Sequence, residues 1–137
     1  MADILPEGYR PSEDEPYMNP RQTEYFRRKL LRWRDEILSG SGSTLRQLQE
    51  EENRLADQSD WASAEIQRAF ELRTRDRERK LLAKIDAALK RIEDGTYGYC
   101  EETHEPIGIK RLEARPIATL SIEAQERHER RERAYRE

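Results

Sequence analysis

Apolar residues recur along this chain at helical spacing, in two long runs separated by a short polar stretch. Phe26, Leu30, Trp33 and Ile37 follow the 4-3-4 spacing of a coiled-coil seam, and Leu38, Leu45, Leu48 and Leu55 follow the same rule shifted by one position. The pattern predicts a helix that starts at Asn19 and Pro20, an N-cap candidate followed by proline at the first helical position, and runs to about Leu55. The slip falls on SGSGS at 39–43, where each glycine costs roughly 1 kcal/mol relative to alanine in a helix interior. The expectation is a continuous but locally weak helix, with a true break at Gly40–Gly42 as the alternative.

ADQSDWAS at 56–63 interrupts the pattern with turn and cap formers. A second helix then carries Ala62, Ile66, Ala69, Phe70, Leu82, Ile85, Leu89 and Ile92, and ends at Gly95. Neither helix has enough apolar surface to be stable alone, so the two are expected to pair as an antiparallel hairpin, roughly 50 Å long at ~1.5 Å per residue. Residues 1–19, with three prolines and five acids against one base, read as an extended arm, flexible or draped over the helices. Residues 96–118 mix glycine, proline and β-formers and are expected to form a turn-rich knob. Ile107, Ile109, Leu112, Ile117, Leu120 and Ile122 would be its core, and a final polar helix starts near Ser121. The organisation is an arm over 1–19, a hairpin over 20–95 with its tip near 56–62, and a knob with a C-terminal helix over 96–137. The fold class is all-α.

Composition narrows the function. With 34% hydrophobic and 40% charged residues, the chain can bury a narrow seam but not the walls of an enzyme pocket, so catalysis is not expected. The net charge of −3 disfavours sequence-specific DNA binding, which draws its affinity from neutralising phosphates. Residues 71–91 nevertheless carry eight bases against four acids, a local phosphate or acidic-surface contact on an acidic protein. A single cysteine, Cys100, excludes an internal disulfide. No stretch is apolar enough to span a bilayer, and the N-terminus lacks the order of a signal peptide, so a soluble cytoplasmic monomer is the expectation.

Three segments carry a resemblance. YGYCEETHEPIGIKRLEARPIATLSIEAQE at 97–126, ELRTRDRERKLLAKI at 71–85 and PYMNPRQTEYFRRKLLRWRDEI at 16–37 resemble the DksA/TraR family over most of the chain. The resemblance implies a helical-hairpin protein that docks on RNA polymerase at its secondary channel. It also implies two C-x-x-C pairs holding structural zinc. Here those four positions read Cys100, Thr103, Ser121 and Ala124, a degenerate zinc-finger-like region. Zinc needs about four nitrogen or sulfur ligands, so none is expected even with His104 and His128 nearby, and Cys100 is expected to be inert, flanked as it is by Glu101 and Glu102.

The family's acidic tip motif matches Asp57, Asp60 and Ala62, which the resemblance places toward the polymerase active site; read as residues alone, the aspartates would simply cap a turn. It further implies a ppGpp pocket shared with the polymerase rim, matched here by Arg77, Leu81, Lys84, Arg111 and Arg115, with Gln125 where a lysine is typical. A coiled-coil scaffold and a transcript-cleavage type of secondary-channel factor are the alternative readings.

Overall fold

Asn19 starts the first helix in the way its sequence predicts. Its side-chain Oδ1 accepts hydrogen bonds from the backbone N–H groups of Arg21 (2.9 Å) and Gln22 (3.0 Å), and Pro20 occupies the first helical position. The computed structural model describes residues 5–40, 50 and 62–136. The helices whose bounds are described are α1 (Pro20–Ser39), α2 (Ala62–Asp94), α3 (Ile109–Ala114) and α4 (Ile122–Arg136). Among the described residues there is no strand, and one isolated antiparallel bridge pairs Tyr99 with Pro106. The all-α class holds.

The first helix stops short of Gly40. It ends at Ser39, and Gly40 takes a left-handed φ of 70° with its N–H on the Ile37 carbonyl. The helix-capping preference of glycine outweighs continuation here, so the break, not the continuous helix, is correct at this point. Leu38, counted in the shifted seam, is 59% exposed, while Leu45, Leu48 and Leu55 lie outside the described residues. Gly95 (φ 80°) ends α2 as expected, with its N–H on the Ile92 carbonyl.

The chain forms two compact units, Met1–Leu30 with Ala87–Glu137, and Leu31–Asp86. In the second, Ile37 and Ile85 are buried, Phe70, Leu81 and Leu82 are half-buried, and Arg34 Nε meets Asp86 Oδ1 at 3.0 Å. Ile66 and Ala69, expected in the seam, are exposed; the inward positions at this level fall to Phe70 and Thr74. A helical seam follows the side that meets a neighbour, and apolarity alone does not fix that side.

The first unit holds the larger core: Phe26, Leu30, Ala88, Tyr97, Cys100, Ile107, Ile109, Leu112, Ala118 and Ala124. Ile107, Ile109 and Leu112 are core residues as expected, Ile117 and Leu120 are half-buried, and Ile122 is 56% exposed. Ile122 is displaced from the core because Ser121 caps α4, its Oγ accepting the Ala124 N–H at 3.2 Å; this turns Ala124 inward instead.

The N-terminal arm is draped, not free. Buried Gln22 accepts the Met18 N–H (2.8 Å) and donates to the Ser12 carbonyl (3.0 Å), and Tyr9 donates to Glu15 (2.7 Å) while packing edge-on against Tyr25. The Glu15 carboxyl is held below its usual range by the Tyr9 and Asn19 hydrogen bonds. Apolar and aromatic contacts thus order a segment whose composition alone reads as disordered.

Candidate functional site

The four positions matched to the family's metal ligands come together at one place in the first unit. Cys100 and Thr103 sit on one turn, closed by the His104 N–H on the Cys100 carbonyl (2.9 Å), and Ser121 and Ala124 form the start of α4. The Glu101 N–H on the Thr119 carbonyl (2.9 Å) joins the two. Burial pushes the Cys100 thiol up, but hydrogen bonds from the Thr103 hydroxyl and from the backbone N–H groups of Ser121, Thr103 and Glu102 outweigh it and bring the thiol down to about 6. The Thr103 hydroxyl and backbone donors, rather than the side chains of Glu101 and Glu102, surround this sulfur. The thiol is nonetheless 1% exposed. At the rim, Glu102 meets His128 and, at 3.9 Å, Arg127, and the His128 hydrogen bond holds its carboxyl below the usual range.

The residues matched by resemblance to a phosphate contact fall in two groups. On α2, Arg77 and Lys84 are exposed and Leu81 half-buried; at spacings of four and three residues they share one side of the helix. On the short helix α3 and its C-cap stand Arg111 and Arg115. Arg115 is exposed, whereas Arg111 is half-buried and its Nε donates to the Leu120 carbonyl at 3.0 Å. Gln125 lies on the first turn of α4, its amide 3.4 Å from Glu129 Oε1. Asp57 and Asp60 lie outside the described residues, and of Ala62 only its place at the start of α2 is described.

What holds α3 was not legible beforehand. Lys29 Nζ donates to both the carbonyl and the carboxylate of Glu113 (3.0 Å each), and the Tyr97 hydroxyl donates to the Pro116 carbonyl at 2.8 Å inside the core. Desolvation of the Tyr97 phenol raises its pKa strongly. An open cavity of about 390 Å³ lies between Met18, Arg27, Ile92, Tyr97 and Tyr99, and none of the anticipated site residues lines it.

Residues 22–92 match the family described as DnaK suppressor protein DksA, N-terminal domain, and residues 95–130 match the prokaryotic dksA/traR C4-type zinc finger. The chain belongs to the DksA family. The RNA polymerase-binding transcription factor DksA of Caulobacter vibrioides (strain NA1000 / CB15N) is 67% identical over 99% of this chain and 97% of its own length. The protein of that name from Escherichia coli (strain K12) is 43% identical, covering 93% and 84%. Among solved structures, transcription factor DksA2 from Pseudomonas aeruginosa superposes with a TM-score of 0.69 at 50% identity, over 85% of this chain and 90% of that one.

Membership in a C4 zinc-finger family raises the question of whether these residues suit the metal. They do not. One thiol remains, the Thr103 hydroxyl is directed at the Cys100 sulfur and accepts the Glu105 N–H (3.3 Å), the Ser121 hydroxyl caps α4, and the methyl of fully buried Ala124 stands at the fourth position. Among the described residues no group of three or more His, Cys, Asp or Glu side chains is arranged to hold a metal ion.

Proposed function

We propose that this protein is a non-enzymatic transcription regulator that acts by binding RNA polymerase in the bacterial cytoplasm. The observation that carries this reading is the 67% identity, across nearly the whole chain, to a relative named for that activity. In the finer reading, the protein docks at the secondary channel as a monomer, directs Asp57, Asp60 and Ala62 toward the active site, and modulates promoter-complex stability together with ppGpp. Exposed Arg77 and Lys84 on one side of α2, and exposed Arg115 beside α3, supply forked and point-charge donors suited to pyrophosphate groups. Gln125, an uncharged amide, weakens that contact without removing it. The knob keeps its fold through hydrogen bonds and packing rather than zinc.

The test is retention of the purified protein on immobilised RNA polymerase core, run beside a gel shift with promoter DNA. Retention without a shift is expected. A DNA shift in the absence of polymerase, with no retention on it, would reject the reading in favour of direct DNA binding.

A further inference from the structure

Helix α3 is six residues long and its N-cap, Gly108, has no capping side chain. A helix this short does not hold its own direction. Its start is fixed from outside the knob by Tyr17 of the N-terminal arm. The Tyr17 hydroxyl accepts the Gly108 N–H at 3.0 Å and donates to the Gly98 carbonyl at 2.7 Å. That carbonyl already takes the Ile107 N–H at 2.8 Å, so the hydroxyl extends the 98–107 pairing by one rung and delivers the chain into Ile109. The Tyr17 ring packs edge-on against Tyr99, centroids 5.5 Å apart, and Met18, in a left-handed conformation (φ 53°), turns the arm from there into α1.

We propose that Tyr17 is a positioning residue for the phosphate-contacting arginines: its hydroxyl, through Gly108, sets the start of α3 and hence the placement of Arg111 and Arg115. This rests on the reading of those arginines as ppGpp contacts. Lys29 on Glu113 and Tyr97 on Pro116 hold the middle and far end of the same segment, so loss of the Tyr17 hydroxyl loosens one end of α3 and leaves it in the knob. The arm thereby belongs to the effector site without touching the effector.

The test uses full-length Tyr17→Phe, which keeps the ring against Tyr99 and removes both hydrogen bonds. In the free protein, exchange of the Gly108 and Leu112 amides, which carry the hydrogen bonds at the start of α3, is expected to quicken about 10-fold while α2 is unchanged. In transcription with RNA polymerase, the ppGpp concentration giving half the effect is expected to rise roughly 3- to 10-fold, the range for losing the one bond of the two that reaches Gly108, with the ppGpp-independent effect intact. Combined with Arg115→Ala, it is expected to add less than it does alone, since only Arg111 is left for the hydroxyl to place. Unchanged exchange at Gly108 and Leu112 overturns the proposal, as does equal loss of regulation with and without ppGpp, or global unfolding of the variant. So does quickened exchange with a normal ppGpp response while Arg115→Ala shifts that response. If Arg115→Ala also leaves the response untouched, the phosphate reading itself fails and carries the proposal with it.

Discussion

Gly98→Ala provides a quantitative test of how firmly the arm is seated, with Gly95→Ala as its internal control. Both glycines have positive φ, 91° and 80°, so in each the added methyl costs about 1 kcal/mol of backbone preference. They differ in surroundings. A Cβ at Gly95 meets nothing within 4 Å, whereas one at Gly98 lies 2.9 Å from Met18 Sδ and 3.2 Å from the Tyr17 hydroxyl. Relieving that overlap moves Tyr17 and its two hydrogen bonds, each contributing about 1 kcal/mol. Gly98→Ala is therefore expected to cost about 3 kcal/mol against about 1 kcal/mol for Gly95→Ala. At roughly 3 to 5 °C per kcal/mol for a chain of this size, the two midpoints should separate by about 8 °C in a thermal melt followed by circular dichroism. Exchange protection of the Gly108 amide should fall in the first variant alone. Equal melting points for the two variants would refute the seating of the arm on Gly98.

Purified protein should contain well under one zinc per chain and keep its helicity in chelator, and restoring cysteine at Thr103, Ser121 and Ala124 together should create a stoichiometric zinc site; metal analysis decides both. In a spectrophotometric tyrosine titration, Tyr9 should ionise late, pushed up to about 12 by burial and its hydrogen bond to Glu15, and Tyr97 later still. Because the folded value lies above the ordinary 10.0, the Tyr9 contribution to stability is whole below pH 10 and is lost as pH rises toward 12; a melting point flat across that interval would contradict it. Asp57→Asn with Asp60→Asn should leave polymerase affinity within about 3-fold while abolishing the effect on promoter-complex lifetime, because two charges change little contact area and much local field. Normal transcriptional activity in that double variant would make the aspartates turn formers only.

Periodicity and capping chemistry are local, and what depends on them was legible: the Asn19–Pro20 start, the Gly95 stop, the Ser121 start of α4, and the seam of Phe26, Leu30 and Ile37. Where two local rules competed, at SGSGS, periodicity argued for continuation and the glycine at position 40 decided otherwise. The loss of the zinc ligands was visible as residue types at a fixed spacing, but the low thiol pKa of Cys100 was not, since it comes from backbone donors that only the folded turn brings together. The same holds for Tyr17, Lys29 and Tyr97. Their partners on the knob are 91, 84 and 19 residues away in sequence, and no pattern along the chain couples a tyrosine near the start to a glycine near residue 108.

The division of the chain into two units also divides its chromophores. All six tyrosines fall within Met1–Leu30 and Ala87–Glu137, and both tryptophans, Trp33 and Trp61, fall within Leu31–Asp86. Emission excited at the red edge of indole absorption therefore reads one unit, and the tyrosine near-ultraviolet signal reads the other, with no label and no substitution. A denaturant titration recorded in both channels tells whether the units unfold in one step or two, and binding of polymerase or nucleotide can be assigned to a unit by the colour of light that responds.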